Sequence, residues 1–243
     1  MPRMNSLTDT LSPLLATIAR REAVLFRDIG WILLAFSLFA FAQKLVVVPD
    51  RIERYTPLVT LHGAVMLGWL GLFTLQAELQ AHGRMGWHKT LGIFSTLLVG
   101  VAVWTGFIVS REFSGEADMI EVFLANLVHL SGLAIFWAAG VVAAIRHRID
   151  IHRRMMLLAA LAILSPPISR VTQTLGLPNG MAAGLHLGLV LALPAIYDLA
   201  TRGRLHRATL AAFTVIFVLS GLAAAAGVIP PLNAAVSAYL GLS

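Results

Sequence analysis

Cysteine is absent from the 243 residues, and charge is scarce: Asp, Glu, Lys and Arg together make up 12%. The first absence excludes disulfides, iron–sulfur clusters, thiolate-held metals and the C-x-x-C-H attachment of c-type haem. It leaves histidine, present eight times, as the main candidate ligand for a soft metal. The second absence excludes a water-facing globule, because a soluble domain of this length carries roughly 25% charged residues. With 58% hydrophobic residues and a mean hydropathy of +0.82, the chain has more apolar surface than one core can enclose. Lipid must solvate the remainder. The net charge of +6 does not point to nucleic acid, because the basic residues lie in short loops between apolar runs. There they act as topology signals and as contacts to anionic lipid.

Seven apolar runs are long enough to cross a hydrocarbon core of about 30 Å at about 1.5 Å per residue. They fall at Gly30–Val48, Pro57–Gln80, Thr90–Ser110, Glu121–Ile145, Met155–Leu175, Met181–Leu199 and Ala208–Val228. The expected fold is an all-α, polytopic bundle of seven transmembrane helices, with short loops that make consecutive helices antiparallel neighbours. Residues 1–29 read as a cytoplasmic or interfacial segment, 30–229 as the transmembrane domain and 230–243 as a short outer tail.

Orientation follows from Lys and Arg. Arg3, Arg20, Arg21, Arg27, Arg84, Lys89, Arg146, Arg148, Arg153, Arg154, Arg202, Arg204 and Arg207 fall on one side, and Arg51, Arg54 and Arg111 on the other. The bias puts the N-terminus in the cytoplasm and the C-terminus outside. Glu112, Glu116 and Asp118 then fall in an outer loop. Leu7, Leu11, Leu14, Leu15 and Ile18 predict an interfacial amphipathic helix over 4–24. Ala40-Phe41-Ala42 resembles a signal-peptidase site, but the apolar run continues through Val48, so a retained helix is expected. Pro166-Pro167 removes two backbone donors and should kink the fifth helix. Small residues at close-packing intervals, such as Gly68 with Gly71 and Gly184 with Gly188, fit close helix approach. No internal repeat stands out from residue identities.

Polar side chains inside lipid are costly and need a reason. Counting residues from the helix ends places His62, His129 and His186 about 8–12 Å below the outer boundary, on three different helices, with Arg170 at a similar level. A second layer, at the cytoplasmic face, holds His88 and His152, with Gln76, Glu78 and Asp198 at nearby helix ends. Each has an ordinary explanation. A buried histidine can simply donate to a neighbouring carbonyl, Arg170 can reach outward to lipid phosphate, and His88 and His152 can be interfacial residues beside their Lys and Arg neighbours. His82, His147 and His206 read as solvated loop residues.

Helices two to five carry one of these histidines each, alternating between the membrane faces: His62, His88, His129, His152. This arrangement resembles the transmembrane b-type cytochromes of the cytochrome b-561 kind. The resemblance implies a four-helix core in which His62 and His129 hold an outer haem b and His88 and His152 an inner one, with Arg170 beside a propionate. The text around His62, Gln76, Arg84-Met85-Gly86-Trp87-His88-Lys89-Thr90-Leu91-Gly92 and His152-Arg153-Arg154-Met155 also resembles a group of uncharacterised bacterial multi-pass membrane proteins, over roughly residues 60–172. That kinship implies the bacterial inner membrane. It carries no activity with it. His88 and His152 lie nearer their helix ends than axial ligands usually do, and His186 has no counterpart in a four-helix core.

Three functions compete. The first is a haem-dependent oxidoreductase passing electrons from a quinol or small reductant, with haem b as cofactor. The second is a membrane hydrolase in which His62, His129 and His186 hold zinc or copper with an open position. It needs a general base at that depth, where no carboxylate lies, and no H-x-x-x-H pair occurs. The third is a transporter, channel or assembly factor with the histidines as proton-relay groups and the kinked helix as a gate. Lipid is the expected partner in all three, a homo-oligomer is compatible with each, and nucleic acid is not expected.

Overall fold

The computed structural model describes residues 4–47, 56–117 and 119–242, and among them it is helical apart from short turns, with no strand. Arg3, Arg51, Arg54 and Asp118, which entered the charge count, lie outside the described residues. So do the side chains of Glu116 and of the N-terminal stripe from Leu7 to Ile18. The elements are α1 Met4–Val47, α2 Pro57–Ala81, α3 Met85–Ala117, α4 Ile120–Ile145, α5 Ile149–Ala162, α6 Ser165–Thr174, α7 Asn179–Arg202, α8 Arg207–Val228 and α9 Pro230–Leu240.

Six helices are long and apolar enough to cross a bilayer: Arg20–Lys44 within α1, α2, Met85–Gly115 within α3, α4, Gly180–Arg202 within α7, and α8. The short α5 and α6 pass the same test only together, with a bend of 40° between them. The chain is thus an all-helical, multi-pass bundle. Pro166 and Pro167 have no amide hydrogen to extend α5, so it ends at Ala162 and the chain restarts at Ser165. The expected kink is a break.

Several other boundaries differ from expectation: α3 runs from Met85 to Ala117, so Glu112 lies in a helix and not in a loop, and α5 begins at Ile149. α1 is one continuous helix that does not divide near Gly30. Its buried face, Ala23, Phe26, Ile29 and Leu33, repeats every three or four residues across that point, so core packing begins well before the most apolar stretch. Gly30 lies where α1 crosses α2; an added Cβ would sit 3.0 Å from the Thr74 Cα. At the other end, the expected tail contains a short helix, α9, folded back on the bundle. Leu240 packs with Phe123 and Leu124 of α4, and Arg111 of α3 stacks on Tyr239 at 5.2 Å.

Helices α2, α3, α4 and α5 close a four-sided ring: α2 packs on α3, α3 on α4, α4 on α5, and α5 back on α2. This leaves α2 diagonal to α4 and α3 diagonal to α5. Around the ring, α1 covers α2 and α6, α7 packs against α6 and α5, and α8 against α4. The most enclosed element is α5, where Leu157 to Leu161 are all 0% exposed.

Such a helix cannot turn its charges toward lipid headgroups. Arg154, also 0% exposed, donates Nε to Asp198 Oδ1 of α7 at 2.7 Å and Nη1 to the Asp150 carbonyl at 2.7 Å. Asp198 also accepts from the Thr209 hydroxyl at 2.6 Å and the His206 amide at 2.8 Å. The Arg154 guanidinium lies 4.9 Å from the Tyr197 ring centre. Next along α5, Arg153 pairs with Glu22 of α1, which accepts from the Tyr197 hydroxyl at 3.2 Å. His206 caps α8 by accepting the Ala208 amide at 3.1 Å. Burial first, then the cations Arg154 and Arg202, hold its pKa below the usual histidine value and so favour the neutral ring that the cap requires.

Removing one partner of a buried pair strands the other's charge, at about 3–5 kcal/mol, whereas an apolar pair of similar volume is often tolerated. Asp198→Ala should therefore unfold the detergent-solubilised protein at a much lower temperature. The double change Arg154→Met with Asp198→Leu should recover part of that loss. Thermal unfolding followed by size exclusion checks this; a double variant no better than Asp198→Ala would show that the charges themselves are required.

Candidate functional site

The layer of His88 and His152 is built by two hairpins with the same turn. After α2, Gly83 takes φ 70°, and after α4, His147 takes φ 57°. In the first turn Arg84 donates its amide to the Leu79 carbonyl at 2.8 Å and Gly83 to that of Gln80 at 3.1 Å; in the second, Arg148 donates to Ala143 at 2.8 Å and His147 to Ala144 at 3.0 Å. Every position differs by 64, as do the starts of α3 and α5. The correspondence extends to side chains. His88 Nδ1 meets the Gln76 carbonyl at 3.1 Å, and His152 Nδ1 meets the Gly140 carbonyl at 2.9 Å. Each ring reaches back twelve residues to the end of the preceding helix. The chain therefore holds a structural repeat, which the sequence marks only by Arg84-x-x-x-His88-Lys89 and Arg148-x-x-x-His152-Arg153.

The repeat brings His88 and His152 together from diagonal helices, with ring centroids 6.2 Å apart and planes at 82°. A carbonyl oxygen only accepts, so Nδ1 of each ring carries the proton and Nε2 keeps its lone pair. Ligating imidazoles are oriented by this kind of outer hydrogen bond. Both rings are partly exposed. Beside them lie two buried polar atoms without a protein partner, Gln76 Oε1 and Arg153 Nε.

In the opposite half of the bundle, the expected grouping is rearranged. The ring partner of His129 is His186 of α7, with centroids 4.7 Å apart and planes at 88°. His62 meets the Thr105 hydroxyl at 3.2 Å and packs on Gly106, whose added Cβ would lie 2.9 Å from the His62 ring. Arg170 is close enough to His62 for a direct charge interaction, stacks on Phe41 at 4.2 Å and donates to the Pro166 carbonyl at 3.3 Å. It points into the protein. Among the described residues, no group of three or more His, Cys, Asp or Glu is placed to hold a metal ion. His62, His129 and His186 thus share a depth without forming a three-ligand centre. A depth count fixes height along the axis but not which way a ring points, and α7 turns His186 onto α4 while His62 is engaged by α3.

His186 was the hardest to place by sequence reasoning, and the structure gives it a definite role. Its Nε2 donates to the Leu161 carbonyl at 2.9 Å, beside the break between α5 and α6. The Leu161 carbonyl also accepts the Leu164 amide at 3.1 Å, so His186 adds a second, side-chain donor at the break. His82 and His206, expected in loops, take helix-end bonds, His82 to the Glu78 carbonyl at 2.9 Å. Comparison with protein-family models, with curated proteins and with solved structures finds no match.

Gly140 lets α5 approach closely enough for His152 to reach its carbonyl. A Cβ there would stand 2.7 Å from the Met156 Cε and 3.3 Å from the Met155 Cβ. By contrast, nothing lies within 4 Å of a Cβ at Gly188. Gly140→Val should separate α4 from α5 and cost about 1–3 kcal/mol, whereas Gly188→Ala should be neutral or stabilise by up to about 1 kcal/mol through helix propensity. Thermal unfolding of the two variants against the parent decides it; equal melting would mean that the α4–α5 contact tolerates repacking.

Proposed function

We propose that the protein is a membrane-embedded, electron-carrying b-type cytochrome whose haem is held by His88 and His152. One observation carries this reading: two imidazoles from diagonal helices of a four-helix ring, each fixed through Nδ1, each keeping Nε2 bare, at 6.2 Å between centroids. Two imidazoles bound to one metal through Nε2, with bonds of about 2.0 Å, have ring centres about 6 Å apart. The residues present fit such a group. Lys89 follows His88 and offers a cation for an anionic periphery, and Arg153, whose guanidinium is paired with Glu22, keeps an unpartnered Nε donor. Bound haem would supply one-electron transfer, with a potential set by its axial ligands, nearby charge and burial. The chain's own part is to hold the two rings, keep their tautomers and place positive charge around them. An outer haem between His62 and His129 has less support, because each of those rings is engaged elsewhere.

The wider reading is seven crossings, counting α5–α6 as one, with the N-terminus in the cytoplasm of a bacterial cell and the protein in its inner membrane. The orientation rests on the thirteen basic residues on one side against three on the other, and the bacterial inner membrane on the resemblance over roughly residues 60–172 alone. The electron donor on this reading is a quinol or another small reductant. The transporter reading draws its support from the break between α5 and α6.

Protein purified from haem-replete cells should be red, with a Soret band that sharpens and shifts on dithionite. His88→Ala and His152→Ala should each abolish the band, while His62→Ala and His82→Ala should retain it. A colourless parent, or a band that survives loss of His88 and His152, overturns the proposal and leaves the transporter reading in front. For topology, alkaline phosphatase fused to the C-terminus should be active and green fluorescent protein dark. The opposite pattern would mean an even number of crossings.

A further inference from the structure

A cleft of about 440 Å³ opens between α4, α7 and α8, with the end of α5 and the start of α6 at its floor. Its volume lies within the range of small-molecule sites. Its walls are mostly apolar and many are small, including Gly132, Ala162 and Ala183, with Glu121, Ser165 and Ser220 as the polar lining residues besides the two histidines. Because α7 and α8 scarcely touch, the cleft faces lipid between them. His129 and His186 both line it.

Their hydrogen-bond accounting is incomplete in a particular way. His186 gives its Nε2 proton to the Leu161 carbonyl, so its Nδ1 is a bare acceptor. His129 Nδ1 is buried and has no partner in the protein. A buried polar nitrogen left unpaired costs about 1–3 kcal/mol, and an apolar cleft facing lipid is poorly supplied with water to offset that. What the pair lacks is a ligand that can donate a hydrogen bond, and that arrives through the membrane.

We propose that this cleft binds the head group of a lipid-soluble hydroquinone, with its ring between α4 and α7 and a hydroxyl donating to the histidine pair. Each hydroxyl can donate and accept, so it can satisfy His186 Nδ1 and either tautomer of His129. The oxidised quinone has only acceptors and leaves His186 Nδ1 unpaired. The site therefore prefers the reduced form. This deepens the cytochrome reading by giving the donor a place, and it depends on that reading only for the use made of the bound molecule.

The test uses the full chain in lipid nanodiscs, with a decyl-tailed ubiquinol as the probe and protein-free nanodiscs as the partition control. Saturable one-to-one binding is expected, with the matching quinone and the hydroquinone's dimethyl ether each weaker by about tenfold or more, the loss of one buried hydrogen bond. His186→Leu, which removes the Nδ1 acceptor, should weaken binding to a similar degree and bring hydroquinone and ether close together. Ala183→Phe, which fills the cleft from α7 and keeps both histidines, should abolish binding while leaving the protein monodisperse. Hydroquinone uptake equal to that of empty nanodiscs overturns the proposal, as does binding that ignores both substitutions. Decanoic acid saturating the site where the hydroquinone does not would overturn it in favour of a fatty acid. A Soret band without hydroquinone binding removes only this inference, and binding without a Soret band removes only the haem.

Discussion

The buried pair of Arg154 and Asp198 is the tie on which the bundle's arrangement depends. Arg154 sits on the helix with the least contact to lipid, and it has no route to the headgroup layer. Its charge must be answered inside the protein, and Asp198 answers it while also collecting Thr209 and the amide of His206. Through these bonds α5 is tied to α7 and to the start of α8. The neighbouring Arg153 adds α1 through Glu22. In a lipid-solvated protein, apolar contacts alone discriminate weakly among helix arrangements, because lipid tails are as apolar as the side chains. A charge that can be neutralised in only one arrangement discriminates strongly.

With α5 held in the centre, the two hairpins α2–α3 and α4–α5 take equivalent places. The same turn, the same backward reach of a histidine to a carbonyl twelve residues earlier, and a basic residue after that histidine occur in both. An approximate twofold relation of this kind brings two like residues together. Two imidazoles paired in this way suit a cofactor bound symmetrically between helices, and that is the chemical reason the His88–His152 layer carries the functional reading. The layer of His62, His129 and His186 breaks the relation. α7 supplies a histidine with no counterpart in either hairpin, and the broken helix gives it a carbonyl to hold.

One of the two expected histidine pairings was legible in advance, and the other was not. The sequence placed His88 and His152 in one layer and on non-adjacent helices, and the structure sets their rings together. It also put His62, His129 and His186 at one depth, but depth along an axis says nothing of rotation about it. Each ring's direction depends on which neighbour crosses at that level: α3 with Thr105 for His62, α7 with His186 for His129. The repeat went unseen because its members share geometry more than identity. Gly83 corresponds to His147 and Gln76 to Gly140, and backbone bonds do not depend on side-chain names.

Sequence alone determined that the chain is helical and lipid-solvated, where most helices start and stop, and that Pro166-Pro167 interrupts one of them. These are consequences of composition, of apolar run length and of missing amide hydrogens, all of them local. Only the tertiary structure decided that α5 is enclosed, that Arg154 finds Asp198 across 44 residues, that α9 folds back on the bundle, and that His129 meets His186. Each of these turns on how helices rotate and cross. That is settled by close approach at residues such as Gly30 and Gly140, and by the need to satisfy buried polar groups without water.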